Sequence, residues 1–536
     1  MNSSLMSENF FKDSKLLGIC TKFSRILGLV RDNLCGRIFG TSMIFGAFTL
    51  AFRIPNLFRR LFGEGALSAA FIPQLVNCIE KEDEKEAKEF ASTIMSITLL
   101  VLSFICVIGV VGSLFARQFV EPNSEWMFIL NFTIVLFPYL IFICTTALLG
   151  SVLNVLKHFL SPALMPIIFN IIWITGLVVA WYIYPSANNT SFEEKQLIAH
   201  QRLIFICVCI TFSGVLQLLF LYVVLMKKGW KLSLSFKTKT AYCKKVLVDF
   251  LPVTFSMAIF QLNVLMDSLI AVTMAESKHA LAALYYSDRI QQLPLGVISI
   301  SIATAMYPLL AKLNAQDKQE EFRETLNKAT RGLWFLIIPS FIGIIGLKTA
   351  LVEVFFAFED PASTIATSNA LMCYSAGLLF TCTLPLLTRS FYAKGAVHIP
   401  VRIGLVMVVI NIVLNIILVK TTNLQGAAIA LGTSITSAIN VIVMLIIAQK
   451  KFQIISFHKV ISRVPVLLIP SAPLIAWLFF VNSSIFNQWV IIPSNNALNL
   501  SPSLIIVCVG APVGALLYLG ISYLMKMTEL KEIMQR

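Results

Sequence analysis

Long apolar runs, each separated from the next by a short polar stretch, recur along all 536 residues. Each run can cross a hydrocarbon layer about 30 Å thick as an α-helix, which rises about 1.5 Å per residue. The predicted spans are 16–38, 44–77, 90–115, 127–153, 160–184, 203–226, 246–273, 281–310, 331–357, 367–392, 401–419, 425–448, 460–481 and 503–525. The pattern therefore predicts an all-α polytopic membrane protein with about fourteen transmembrane helices.

Composition supports a membrane environment. The chain is 57% hydrophobic and 13% charged, whereas soluble domains are about 45–50% apolar and about 25% charged. The net charge of +15 lies mostly in alternate loops, with the largest group of lysines over residues 227–245. Positive charge favours the cytoplasmic loops of membrane proteins. We therefore expect both termini to be cytoplasmic, which requires an even number of spans.

An internal repeat divides the spans into two halves. Ala69–Leu75 in the second span and Thr304–Leu310 in the eighth share a proline and precede a charged loop, 235 residues apart. A second pair of similar segments is formed by Leu153–Lys157 and Phe391–Lys394. Parallel repeats are a transporter architecture with the substrate site between the halves. The predicted divisions are 1–226 for the first lobe, 227–450 for the second lobe and 451–536 for two further helices.

Charged residues inside the spans are candidates for function, because each costs about 2.5–3.5 kcal/mol on insertion scales. They are concentrated in three spans and comprise Lys22, Arg25, Arg31, Asp32, Arg37, Arg53, Arg59, Arg60, Glu64, Asp288 and Arg289. Arg60 and Glu64 are spaced for an ion pair along one helix face, and structural pairing is also an alternative for Asp288. By spacing, Arg31 and Arg59 lack such an in-helix partner.

Arginine carries a planar fork of donors that suits phosphate and carboxylate groups. Arg25, Arg31, Arg59 and Arg289 therefore predict an anionic substrate, since excess positive charge inside a membrane needs a counter-ion. Pro55 and Pro294 lie close to these charges and are expected to interrupt their helices, leaving carbonyl groups that need a polar surrounding.

A second polar group is a candidate cation site. Asp267 is a lone carboxylate in the seventh span, Asn411 and Asn415 share a face of the eleventh, and Thr433 lies in the twelfth. Oxygen ligands of these kinds suit Na⁺. The alternative is hydrogen bonding between helices, which uses the same side chains.

The sequence gives little support for catalysis. The five histidines lie in or near loops, and none is spaced with Cys or a carboxylate as a metal site requires. Nucleotide-binding and hydrolase motifs are not found. We expect a transporter without a catalytic residue, driven by an ion gradient, the membrane potential or substrate flux.

Three motifs resemble those of the MurJ/MviN lipid II flippase family: Ser24–Asp32, Phe52–Ala66 and Tyr285–Arg289. The resemblance extends over essentially the whole chain. It implies the multidrug/oligosaccharidyl-lipid/polysaccharide (MOP) exporter fold, with two six-helix lobes around a cavity and two C-terminal helices framing a groove for a polyprenyl tail.

The resemblance also implies residue roles. Arg25, Arg31, Arg59 and Arg289 correspond to arginines that contact the diphosphate and sugar headgroup of lipid II, and the neighbouring Asp32, Arg60, Glu64 and Asp288 complete the candidate substrate site. Asp267, Asn411, Asn415 and Thr433 match the Na⁺ site of some members. No other cofactor is expected.

Two positions depart from the family pattern. Gly46 stands where many members carry an aspartate, and Gln292 where some carry a glutamate. The implied function is movement of lipid II to the outer leaflet of the bacterial inner membrane, with cell-wall synthesis and division proteins as partners. The alternatives are a flippase for another polyprenyl-diphosphate glycan, a cation-coupled drug exporter, and a membrane scaffold or lipid-modifying enzyme. The arginines argue against a carrier of cationic drugs.

Overall fold

The computed structural model describes residues 3–185, 191–237, 241–275, 277–483, 486 and 501–534. Within these ranges the regular elements are helices, and none is a β-strand. The predicted all-α class is therefore confirmed. The chain forms two compact units, residues 1–265 and 266–536, and the division predicted at 226 and 450 stays a prediction.

The helices of the first unit follow the predicted spans, and the last of them continues into the second unit. They are α1 (Ser3–Phe39), α2 (Met43–Phe58), a π-helical segment (Arg59–Gly65), α3 (Ala66–Lys81), α4 (Glu84–Ala116), α5 (Glu125–Val155), α6 (Leu160–Ile183), α7 (Phe192–Lys227) and α8 (Ala241–Met274).

The second unit continues the helical pattern. Its helices are α9 (Ala280–Pro294), a second π-helical segment (Leu295–Ser299), α10 (Ile300–Ala315), α11 (Gln319–Gly346), α12 (Lys348–Phe356), α13 (Pro361–Ala376), α14 (Leu378–Ala393), α15 (His398–Thr421), α16 (Gly426–Lys450), α17 (Phe457–Ile461), α18 (Val464–Leu468), α19 (Ser471–Val481), α20 (Pro502–Leu524) and α21 (Thr528–Met534).

Each predicted span falls on one helix or on consecutive helices broken at a bend. In the part of the chain that the structure describes, nine helices are long and apolar enough to cross a membrane, and up to eleven when bent pairs count as one span. The charge-rich first span lies within α1, and the seventh lies within α8, whose apolar part is Gln261–Met274.

The interruptions expected near Pro55 and Pro294 are confirmed as π-helical segments, in which the hydrogen bonds span one residue more than in an α-helix. Each unit thus contains the same order of elements: an α-helix, a π-helical segment, and a second α-helix of 16 residues. The two π-helical segments start at Arg59 and Leu295, close to the repeat distance found in the sequence.

In the first unit, α5 lies at the centre and packs against α2, α4 and α7. Its buried residues include Leu149 and Leu153, which join Phe71 of α3 and Leu221 of α7 in one apolar cluster. α6 completes the unit by packing against both α1 and α7, which places it beside the charges of the first span.

An extended stretch after α7, residues 230–237 and here named the strap, lies along the start of α4. The Ser233 and Ser235 backbone N–H groups donate to the hydroxyls of Ser92 and Ser96, at 3.2 and 2.9 Å. The spacing fits, because four residues of helix and two of extended chain both rise about 6–7 Å. Lys237 closes the strap with an ion pair to Glu89 at 2.5 Å.

In the second unit, α13 packs against α9 and α16, and α15 runs along α16. The C-terminal helices join this unit through α11 and α12: α19 packs against α11, and α20 packs against α12. The Tyr518 hydroxyl of α20 donates to the Phe335 carbonyl of α11 at 3.0 Å.

Candidate substrate and cation sites

Arg31 lies almost wholly buried between α1 and α6, with 8% of its surface exposed. Its Nε and Nη2 donate to one carboxylate oxygen of Asp32, at 3.0 and 2.7 Å. Nη1 donates to Asn170 Oδ1 at 2.9 Å, and the guanidinium lies over the Trp173 ring, 4.6 Å from its centroid. The Arg31 guanidinium is therefore held along its edge by hydrogen bonds and on one face by the Trp173 ring.

The expectation that Arg31 lacks an in-helix partner is wrong. Neighbouring residues point about 100° apart on a helix, which excludes contact between short side chains. The long arginine side chain nevertheless curves back to the adjacent Asp32, itself 5% exposed. Burial removes water from both charges, which is costly. The contacts of Arg31 with Asn170 and Trp173 help to offset this cost.

The other charged residues of the first unit have varied surroundings. Arg25 is exposed, whereas Arg53, Arg59 and Arg60 are partly buried. Arg59 Nε donates to Asn56 Oδ1, three residues earlier, at 2.9 Å, so the absence of an in-helix partner predicted for Arg59 is also wrong. The Glu64 side chain lies outside the described residues, and its pairing with Arg60 stays a prediction.

In the second unit, Asp288 and Arg289 lie on α9 and are partly buried. Arg289 lies over the ring of Tyr285, 4.8 Å from the centroid, and donates to its hydroxyl at 3.1 Å. Gln292 donates to Asp288 at 2.5 Å. A glutamate at 292 could not make this contact when both carboxylates are ionised, so the departure from the family pattern changes the partner of Asp288.

Sequence reasoning missed Arg389. It lies inside the predicted tenth span, on α14, and donates to the Thr304 hydroxyl of α10 at 2.5 Å. The criterion that selected the other arginines, a charge within an apolar run, applies to it equally and could have found it.

The four candidate cation ligands meet in the second unit. Asn415 Nδ2 donates to Asp267 Oδ1 at 2.7 Å and to Asn411 Oδ1 at 3.0 Å. The Thr433 hydroxyl donates to Asp267 Oδ2 at 3.3 Å. Thr436, which sequence reasoning missed, accepts from Asn411 at 3.4 Å. Three helices, α8, α15 and α16, thus bring oxygen-rich side chains around one carboxylate.

These residues fit a hard monovalent cation. Asn415 Oδ1 is buried and, among the residues that the structure describes, has no hydrogen-bond partner, which is costly unless a ligand satisfies it. Among the described residues, no group of three or more His, Cys, Asp or Glu could hold a metal ion. One carboxylate with neutral oxygens provides the charge that suits Na⁺ rather than a divalent ion.

An apolar groove of about 490 Å³ runs between α11 and α19. Its lining residues are Phe341, Ile342, Ile345, Gly346, Ile475, Leu478, Phe479 and Asn482. Asn482 is its polar member and donates to the Gly346 carbonyl at 2.9 Å. A groove of this composition favours a hydrocarbon chain over a polar ligand.

A comparison with protein families decides the classification. The model of the lipid II flippase MurJ family matches residues 35–496. The chain belongs to this family. A relative from Rickettsia prowazekii, named a probable lipid II flippase MurJ, is 30% identical, with 80% of this chain and 82% of the relative covered.

Solved structures share the fold of this family member. The lipid II flippase MurJ in an inward closed conformation matches with a TM-score of 0.74 and 24% identity, covering 95% of this chain and 98% of that one. An inward-facing multidrug resistance MATE transporter of the MOP superfamily matches with a TM-score of 0.63 and 17% identity, covering 80% and 94%. The predicted MOP fold is thereby confirmed.

Proposed function

We propose that this lipid II flippase moves its undecaprenyl-diphosphate-linked substrate from the cytoplasmic to the outer leaflet of the bacterial inner membrane by alternating access. Membership of the lipid II flippase family is the observation that carries the proposal. A multi-pass helical fold with charged side chains inside its apolar spans supports it.

The headgroup is held by arginines. Arg25, Arg31 and Arg59 of the first unit and Arg289 of the second bind the diphosphate and sugar, and the set is completed by Asp32, Arg60, Glu64 and Asp288. In support, the buried Arg31–Asp32 pair shows an arginine fork already engaged with an anion. A diphosphate offers the same acceptor geometry with more charge.

The polyprenyl tail remains in an apolar surrounding while the headgroup crosses. The groove between α11 and α19 supports this role, because its lining is aliphatic and aromatic apart from Asn482. Keeping the tail out of water avoids a cost of about 0.8 kcal/mol for each exposed methylene.

Transport is driven by Na⁺ bound at Asp267, Asn411, Asn415 and Thr433, by the membrane potential, or by both. The single carboxylate and the unpartnered Asn415 oxygen support the cation. A potential of about 100 mV contributes about 2.3 kcal/mol for each charge moved. These residues would hold the ion by their oxygens, with the Asp267 carboxylate as the charged ligand.

Both termini are proposed to be cytoplasmic, with lipid II as the substrate and cell-wall synthesis proteins as partners. The concentration of lysines in alternate loops supports the topology. Labelling by a membrane-impermeant reagent tests it, with single cysteines introduced at residues 234 and 119 of a variant whose eleven native cysteines are replaced. Only residue 119 should react from outside in intact cells, and the reverse pattern would overturn the topology.

Depletion of the protein, with measurement of the leaflet that holds lipid II, tests the function. Lipid II should accumulate on the cytoplasmic side, and the wild-type chain should restore its movement. Alanine at Arg25, Arg31, Arg59 or Arg289 should lower restoration at least about tenfold, because each loses a charge-assisted contact. Arg402→Ala is the control, since Arg402 is an exposed arginine of α15.

Normal lipid II movement after depletion would refute the flippase function. Trapping of a different polyprenyl-diphosphate glycan, with lipid II unaffected, would instead identify the substrate of the related class. Full activity of all four alanine variants would refute the arginine site while leaving the function itself standing.

A further inference from the structure

Asn170 is a buried polar residue of α6 that connects two helices. Its Oδ1 accepts from Arg31 Nη1 at 2.9 Å. Its Nδ2 donates to the Pro166 carbonyl of α6 at 2.9 Å and to the Ser24 carbonyl of α1 at 3.3 Å. One amide therefore holds the Arg31 side chain and also the α1 backbone at the residue before Arg25.

The surroundings of Asn170 leave Arg31 little freedom. The guanidinium face lies on Trp173, and its edge meets Asp32 on one side and Asn170 on the other. Trp173 is itself held by T-shaped contacts with Phe48 and Phe52 of α2. Asn170 is the member of this arrangement that joins α6 to both the side chain and the backbone of α1.

We propose that Asn170 is a positioning residue for the anionic headgroup, because it fixes the Arg31 guanidinium. The inference rests on the proposed function of Arg31. Asn170 acts through Arg31 and makes no contact with the substrate in this assignment.

The energetic reason is preorganisation. A free arginine side chain loses rotamer freedom when it binds an anion. Each side chain immobilised in this way lowers the binding affinity about two- to tenfold. An arginine already held by Asn170 and Trp173 has lost that freedom before the substrate arrives. Removal of the amide should therefore weaken binding through Arg31, although the charge of Arg31 is retained.

A double-variant cycle tests the inference. Lipid II affinity is measured on the purified full chain for the wild type, Asn170→Ala, Arg31→Ala and the double variant. Asn170→Ala should weaken binding about two- to tenfold. In the Arg31→Ala background the same change should have little further effect, because coupled residues are non-additive.

Asn154→Ala serves as the control, since Asn154 is an exposed asparagine of α5, and it should bind as the wild type does. Thermal unfolding of each variant verifies the fold. Should Asn170→Ala fail to fold, Asn170→Ser is used in the same cycle, because its hydroxyl is too short to reach both helices.

The outcomes separate this inference from the proposed function. Unchanged affinity in Arg31→Ala would refute the headgroup role of Arg31, and the positioning role with it. Weaker binding in Arg31→Ala, combined with additive losses in the double variant, would show that Asn170 acts independently and would overturn the inference alone. Wild-type affinity in a folded Asn170 variant would overturn it as well.

Discussion

Asp267 is the one carboxylate of a buried polar group to which three helices contribute. Its two oxygens accept from Asn415 and Thr433. Neutral hydrogen-bond donors stabilise a buried carboxylate only partly. A cation bound beside the carboxylate would stabilise its negative charge further. A cation bound here, as proposed, would therefore couple its charge to the packing of α8, α15 and α16.

Asp267→Asn should remove Na⁺ dependence from transport. Loss of a charged ligand is expected to lower the apparent Na⁺ affinity about ten- to hundredfold, corresponding to about 1.5–3 kcal/mol. Transport is measured in vesicles with and without a Na⁺ gradient. Thr273→Ala, an exposed position of the same helix, is the control. An Asp267→Asn protein that still responds fully to Na⁺ would refute the cation site.

Gly432 allows α16 to approach this group closely. A Cβ at this position would lie 1.9 Å from Asn415 Oδ1. Gly432→Ala should therefore displace the amide and lower the free energy of unfolding by about 1–3 kcal/mol, as overpacking of a core does. In contrast, Gly332→Ala in α11 meets no atom within 4 Å and should gain up to about 1 kcal/mol of helix stability.

Thermal unfolding of both glycine variants in detergent measures the difference. Equal midpoints for the two variants would show that α16 can shift to accommodate a methyl group, and the close approach would then have no structural role.

Sequence reasoning identified charged side chains more readily than neutral ones. Asp267 and most arginines of the spans, although not Arg389, stood out because a charge in an apolar run is rare. Asn170 and Thr436 were missed, since neutral polar residues are common in membrane helices and only the packing shows which of them meet. The Arg31–Asp32 pair was missed because spacing rules describe helix faces and not the reach of a long side chain.

At the scale of elements, the strap depends on two hydroxyls of α4. The Ser92 and Ser96 hydroxyls accept hydrogen bonds from the backbone amides of residues 233 and 235, which are two residues apart in the strap. The hydrogen bond to Glu89 raises the pKa of Lys237, so on the basic side this ion pair is lost only as the pH rises through that raised value. The two kinds of contact hold the strap at different points.

Ser92→Ala combined with Ser96→Ala should release the middle of the strap. Each lost hydrogen bond contributes about 0.5–1.5 kcal/mol, so amide hydrogen exchange at residues 233 and 235 should become about fivefold to a hundredfold faster. Ser103→Ala, at an exposed position of α4, should leave exchange unchanged. Equal exchange in the double variant and the wild type would show that these hydroxyls do not hold the strap.

The long apolar runs predicted the elements well, because every membrane span must satisfy its backbone hydrogen bonds internally and therefore forms a helix. The prolines also indicated where the helices are interrupted. They did not indicate π-helical geometry, which depends on how the residues after Pro55 and Pro294 pack in three dimensions.

At the scale of the molecule, one substrate has to be accommodated by two chemically opposite surfaces. In the proposed function the arginines bind the charged headgroup, and the groove between α11 and α19 holds the tail. The resemblance implied a groove framed by the two C-terminal helices, whereas the groove in the structure lies between α11 and α19, and its lining residues became known only from packing.

Ile475→Trp should fill part of the groove and lower transport of full-length lipid II severalfold. A short-chain analogue should be moved at the wild-type rate, because its tail does not need the groove. Leu516→Trp adds the same bulk at a position of α20 that is 68% exposed and is the matched control. Equal inhibition of both substrates would contradict a role in holding the tail.

The strap carries one more consequence, for sequence variation. Because α4 binds the amide of residue 233, whose side chain is exposed, that position can accept almost any amino acid, whereas the Ser235 hydroxyl also accepts from Thr93 of α4 at 3.2 Å. Proline is the exception, since it has no amide hydrogen to donate. Among relatives that keep serines at positions 92 and 96, residue 233 should therefore vary freely, while proline should be excluded at both 233 and 235.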